Sequence, residues 1–220
     1  MADFKQLYAP ESPSLPLAPN ELNRGYFDQK SNVLRLYFNR LRAALQALLS
    51  PRGGKYLSFP YGAFSSTVTQ AVSIIDTPTR VSLDTSDYLN GTYFVVGDGI
   101  HVEQSGIYNV QFSVQLTNGH NQDQDMAIWL RKGSGSGTAV DIPYTTSVAT
   151  VSATHGGQPG YYVLAANFYV SLIDGDFIEF WWAANHLLVQ LETLPPITTP
   201  FVNPGAPSVV VTTSFVSSLP

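Results

Sequence analysis

Alternation of apolar and polar residues over some ten positions fits a strand with one buried face; this chain contains it cleanly once and, with a less polar alternate face, a second time. Across Ile107–Leu116, Tyr108, Val110, Phe112, Val114 and Leu116 point one way, and Asn109, Gln111, Ser113 and Gln115 the other. Tyr162, Leu164, Ala166, Phe168, Val170 and Leu172 repeat the pattern, and their alternates Asn167, Tyr169 and Ser171 are again uncharged. Further strand candidates fall at 57–64, 71–75, 79–84, 92–96, 99–103, 125–131, 138–142, 147–153, 176–183, 186–192 and 207–217. Asn90-Gly91, Asn118-Gly119, Gly156-Gly157 and Asp174-Gly175 punctuate them as turns. So many short strands with regular turns predict a mainly β fold, a sandwich or jelly roll.

One strand breaks the alternation. In Phe177–Trp182, Ile178, Phe180 and Trp182 form one face, while Phe177 and Trp181 lie on the other beside Glu179. A single copy would leave that second face as an aromatic surface in water, and contiguous exposed patches of this kind mark interfaces. Phe177 and Trp181 are therefore assigned to contact between copies of the chain, with a loop folded over them as the competing account.

The region ahead of the strands is built differently. Residues 1–19 carry Pro10, Pro13, Pro16 and Pro19 with Leu7, Tyr8, Leu15 and Leu17 between them, a spacing that disfavours helix and predicts an extended anchoring arm. Residues 20–50 read as a helix that starts between Asn20 and Asp28 and stops at Ser50-Pro51. Its apolar positions Phe27, Leu34, Phe38, Leu41, Leu45 and Leu48 step by 7, 4, 3, 4 and 3, the spacing of a coiled-coil seam interrupted only at Ser31. These six residues are assigned to self-association; the helix lying on its own β domain is the alternative. Arg35, Arg40 and Arg42, with Leu7, Tyr8, Leu15 and Leu17, are the candidates for docking onto a partner protein. The head domain then covers residues 51–220.

Charge separates the same two regions. The net charge is −5, yet residues 1–55 hold eight of the eleven basic and four of the sixteen acidic residues, a local excess of +4 against −9 for the rest. That balance argues against a nucleic-acid binder and suggests two regions with different partners. With no cysteine, disulfide frameworks, thiolate zinc sites and cysteine nucleophiles are closed. No window approaches the roughly 18 apolar residues of a membrane helix, and the first residues lack the basic and apolar segments of a secretion signal, so neither membrane nor signal is expected.

Catalytic chemistry finds little support. Asp123-Gln-Asp125 and Asp174-Gly-Asp176 each space two carboxylates by two residues, which suits turns better than a cation or acid/base pair. His101, His120, His155 and His186 are scattered without ligand spacing, and Asn90-Gly-Thr92 reads as a tight turn. No Gly-x-Ser-x-Gly elbow occurs, and no cofactor is expected. Trp129, Tyr144, Tyr161 and Tyr162 are the candidates for stacking on sugar rings.

Three segments in order, Gly106-Ile-Tyr-Asn-Val-Gln-Phe-Ser-Val114, Gly175-Asp-Phe-Ile-Glu-Phe-Trp-Trp182 and Ser208-Val-Val-Val-Thr-Thr-Ser-Phe215, resemble the C1q/tumour-necrosis-factor family. That resemblance covers about residues 60–218 and implies a ten-stranded jelly roll packed as a homotrimer around an aromatic axis. The leader Asp28–Leu41, followed by Gly54-Lys-Tyr-Leu-Ser-Phe-Pro-Tyr-Gly62, resembles virion structural proteins of marine cyanobacterial tailed phages. The joint implication is a non-enzymatic virion component: an N-terminal region docking to a capsid, tail or adaptor protein, and a head projecting as fibre knob, decoration or host-contact surface. A stand-alone carbohydrate-binding lectin, in contact with host glycans, is the alternative.

Overall fold

The computed structural model describes residues 10–18, 20–21, 23–48, 59–95, 97, 99–199 and 202–219, and the chain divides into two compact units, Met1–Ser58 and Phe59–Pro220. In the first unit, residues 10–18 form neither helix nor strand, as their prolines require. One helix follows, α1 (Arg24–Leu48), inside the range expected for it. Its cap is Asn23 rather than Asn20: the Asn23 side-chain oxygen accepts from the Tyr26 backbone N–H at 2.9 Å. At 1.5 Å per residue α1 is about 37 Å long.

Among its described residues the second unit contains fourteen strands: β1 (Tyr61–Ser66), β2 (Gln70–Ala71), β3 (Thr79–Arg80), β4 (Thr85–Asn90), β5 (Thr92–Val95), β6 (Gly99–Val102) and β7 (Gly106–Asn118). There follow β8 (Gln124–Ser134), β9 (Val140–Asp141), β10 (Ser147–Val151), β11 (Gly160–Leu172), β12 (Asp176–Ala184), β13 (Val189–Leu191) and β14 (Val209–Ser217). They form two antiparallel sheets. The first runs β4-β1-β14-β7-β11, with β13 continuing beside β7 and pairing β2. The second runs β10-β8-β12-β6-β5, with β3 and β9 added as short edges.

The principal strands taken in chain order, β1, β6, β7, β8, β10, β11, β12 and β14, fall as β1-β14-β7-β11 in one sheet and β6-β12-β8-β10 in the other. This interleaving of the two ends of the chain is the double Greek key of a jelly roll. The mainly β sandwich preceded by one helix is thus the architecture observed.

Between the sheets lies the core. Tyr108, Val110, Phe112, Val114 and Leu116 of β7 are all buried, facing Met126, Ile128 and Leu130 of β8 and Ile178, Phe180 and Trp182 of β12 in one apolar cluster. Period two decides which residues enter it, because one face of each strand is committed to the partner sheet. On β11 the expected face is only partly covered: Leu164, Ala166 and Phe168 pack at the margin of the core and Tyr162 stays exposed. As a sheet edge, β11 leans on β7 alone.

β4 was not among the expected strands. Thr85-Ser-Asp-Tyr-Leu-Asn has little buried surface and no clean alternation, since it is held by hydrogen bonds to β1 at a sheet edge rather than by burial. Conversely, the stretch 71–75 supplies only Ala71, the second residue of β2, and then leaves the sheet.

Candidate functional site

Each sheet has one face in the core and one outside, and the two outer faces are chemically opposite. On the outer face of the second sheet, strand register sets three complementary rows. Phe177 lies opposite Gly133 on one side and His101 on the other, Glu179 opposite Arg131, and Trp181 opposite Trp129 and Arg80.

The expectation that Phe177 leaves an aromatic surface in water is corrected by this register, while Trp181 stays partly exposed. Phe177 is 1% exposed within its own chain. A Cβ on Gly133 would sit 2.2 Å from the Phe177 ring, so the ring occupies the space that only glycine leaves free. His101 packs on its other flank at 5.1 Å between centroids and itself stacks on Tyr93 at 4.9 Å and 9°. Phe177 therefore has no surface to offer another copy. Trp181 is half-covered by the Arg131 guanidinium, 4.6 Å from the ring centroid, a cation–π contact.

The polar groups of this face bind one another. Glu179, 8% exposed, accepts from Arg80 Nη1 at 3.0 Å through Oε1 and from the Trp181 indole N–H at 2.7 Å through Oε2. Arg80 also donates to the Gly97 carbonyl. Asp141 Oδ1 accepts from the Trp129 indole at 2.8 Å and forms an ion pair with Arg131 Nε at 3.0 Å. Most charges and rings here meet inside one chain, although the buried Arg131 Nε faces Asp141 as an ion pair without hydrogen-bond geometry. A signal for this was present in the sequence: Trp129-x-Arg131-x-Gly133 and Phe177-x-Glu179-x-Trp181, read antiparallel, pair large with small and base with acid.

The outer face of the first sheet carries no such network. Three rows cross β1, β14, β7 and β11: Ser65-Val210-Ser113-Ala165, Ala63-Thr212-Gln111-Asn167 and Tyr61-Ser214-Asn109-Tyr169. None of these twelve residues is ionisable near neutral pH. Gln111, Ser113, Ala165, Asn167, Val210 and Thr212 line an open groove along the middle. Tyr61 and Tyr169 stand exposed at one end, and Tyr161 and Val163 at the other. Asn109 Oδ1 is buried in this face with no hydrogen-bond partner. Sequence reading identified the polar alternates of β7 and β11 but assigned them no role.

The sugar-stacking candidates are not brought together. Trp129 is on the outer face of the second sheet, Tyr161 on that of the first, and Tyr162 on the opposite side of β11 from Tyr161. Tyr144 is fully exposed at φ 66° in the loop after β9. The next residue fixes it there: the buried Thr145 hydroxyl donates to the Ile142 carbonyl at 2.8 Å and accepts from the Leu130 N–H at 3.1 Å.

The paired aspartates serve turns and loop clips. Asp176 Oδ2 accepts from the Ile173 N–H at 2.9 Å across the Asp174-Gly175 turn and lies 3.4 Å from Lys132 Nζ. Asp123 accepts from the Ala153 N–H and Asp125 from the Thr150 hydroxyl. Among the described residues, no group of three or more His, Asp or Glu is placed to hold a metal ion. His120 and His186 pack ring on ring, 4.1 Å between centroids, with His120 Nδ1 against Gln124 Nε2 and His186 Nδ1 accepting from the Leu188 N–H.

Two groups are held away from their usual titration. Burial, helped by the charge of Asp174, pushes the Tyr108 phenol up to about 12. For Asp84 burial acts upward, but hydrogen bonds from the Thr85 and Thr67 hydroxyls and the Thr67 N–H outweigh it and hold the carboxyl below its usual value.

In the first unit, the seam residues Phe27, Phe38 and Leu45 are exposed, and Leu34 and Leu41 half-buried. Leu15, Leu17, Arg35, Arg40 and Arg42 are also exposed. Leu7, Tyr8 and the side chain of Leu48 lie outside the described residues.

No family model and no curated protein sequence matches this chain. Among solved structures, the Eiger tumour necrosis factor of S. frugiperda aligns over 74% of this chain and 96% of its own, at 10% identity and a TM-score of 0.49. A likeness of that size carries no inference about function, and the jelly-roll assignment stands on the strand order.

Proposed function

We propose that this chain is a non-enzymatic structural protein of a tailed-phage particle: its head joins two further copies through the outer face of the first sheet, and its N-terminal region docks to another virion protein. The observation that carries self-association is the charge-free face made by β1, β14, β7 and β11. Charged residues are depleted at the centre of stable interfaces because each must otherwise be desolvated or paired.

The particle assignment rests on the resemblance of residues 28–62 to phage virion proteins, with the exposed apolar seam of α1 and the exposed Leu15 and Leu17 as surface left for a partner. Three heads on one axis multiply weak surface contacts into avidity, which suits decoration or host contact.

Sedimentation of the full chain tests the first element: a mass three times 24.0 kDa is expected, and a monomer across micromolar concentrations overturns it. Mass spectrometry of purified particles tests the second.

A glycan-contact reading has one favouring observation, the fully exposed Tyr144 held at a left-handed φ by Thr145. Strained exposed residues concentrate at ligand contacts. Glycan-array binding lost on Tyr144→Ala supports it, and absence of binding by the intact chain removes it.

A further inference from the structure

The helix α1 has an exposed apolar stripe, and the residues flanking that stripe say what can cover it. Along the seam Phe27, Ser31, Leu34, Phe38, Leu41 and Leu45, the flanking positions are Asp28, Lys30, Arg35, Tyr37, Arg42 and Ala44. Three of the six are cationic and one is acidic. Asp28 is already paired with Arg24, one turn back, at 3.7 Å. The helix has no other acid, so it offers Lys30, Arg35 and Arg42 no carboxylate; Arg35 Nη2 donates to the neutral Asn32 side-chain oxygen at 3.0 Å.

A three-fold axis requires copies of α1 to run parallel. In a parallel coiled coil, the flanking residue of one helix meets the flanking residue five positions on in the next. Lys30 of each copy would then face Arg35 of its neighbour, a like-charge contact repeated around the axis. Opposite-charge pairs at these positions select partners, and like-charge pairs reject them.

We propose that the seam of α1 is filled by an apolar stripe flanked by Asp and Glu on a different protein, not by other copies of α1. This rests on the docking reading above and deepens it: the head supplies self-association and the helix supplies an acidic partner.

The test titrates the full chain with two synthetic helical peptides carrying Leu at every seam position, one flanked by Glu and the other by Lys, and with phosphatidylglycerol vesicles. The Glu-flanked peptide is expected to bind, and raising salt from about 0.1 to about 1 M should weaken it by roughly tenfold. The triple variant Lys30→Glu/Arg35→Glu/Arg42→Glu should transfer the preference to the Lys-flanked peptide. Equal binding of the two peptides, failure of the Glu-flanked one, or stronger binding to vesicles overturns the inference. So does preferential formation of mixed oligomers when the triple variant is combined with the unaltered chain, which would show α1 pairing with itself.

Particle incorporation separates this inference from the reading beneath it. If Leu34→Asp/Leu41→Asp is incorporated undiminished, docking through α1 fails altogether. If that variant is excluded while the triple charge reversal is incorporated normally, only the acidic-partner inference fails.

Discussion

The two outer faces of the sandwich share the same period-two geometry and end in opposite chemical states. On the second sheet, Arg80, Glu179, Arg131, Asp141, Trp129 and Trp181 close a lattice of hydrogen bonds, ion pairs and one cation–π contact. On the first sheet, twelve uncharged residues surround an open groove and leave the Asn109 oxygen without a partner. Satisfied polar groups make a surface finished, and large aromatic residues alone do not make it sticky. The face that looked like an interface in sequence is completed by its own chain, and the blander face is the one left open.

Substitutions should therefore act on stability at the second face and on assembly at the first. The largest effect is expected from Gly133→Val, which drives a branched side chain into the Phe177 ring; overpacking there should cost about 3 kcal/mol in urea unfolding. Glu179→Gln, which keeps shape but leaves Arg80 facing a neutral amide, should cost about 2 kcal/mol by the same measurement. A loss below the noise in either case would mean that the lattice does not hold the second face closed.

On the first face, Gln111→Glu should change unfolding stability by less than about 0.5 kcal/mol, as exposed substitutions do. It should nevertheless shift the sedimenting mass toward a single 24.0 kDa chain, because three added charges would be trapped in the shared interface. A trimer undisturbed by it would take the interface off this sheet.

The smallest effect concerns acid. Against the upward pull of burial, hydrogen bonds hold the Asp84 carboxyl below the ordinary aspartate value of 3.8, so its contribution is complete above about that pH and is lost as pH falls through the lower folded value. Asp84→Asn should remove that part of the acid-induced loss of stability, read as a shallower fall in melting temperature below pH 4.

The sequence made the long core strand β7 legible because it states its burial in every second residue, and β11 does so only toward its end at Val170 and Leu172. It concealed whatever depends on which strand lies beside which. Phe177 looked exposed because its cover is a missing side chain, Gly133, forty-four positions earlier, together with a His101–Tyr93 stack on two other strands. β4 went unseen because its pairing with β1 is made by the backbone, which residue patterning does not record. The stacking candidates Trp129, Tyr144, Tyr161 and Tyr162 were chosen by residue type, and type does not say that Trp129 and Tyr161 stand on opposite sides of the sandwich.

β11 has a consequence for how heads are handled and stored. Its thirteen residues pair only with β7 and include neither proline nor charge, the devices by which natural sheet borders discourage unwanted partners. An unguarded border of this kind is a template for adding further strands, so concentrated solutions of the chain are expected to form β-rich aggregates read by thioflavin fluorescence, and Ser171→Lys is expected to slow them.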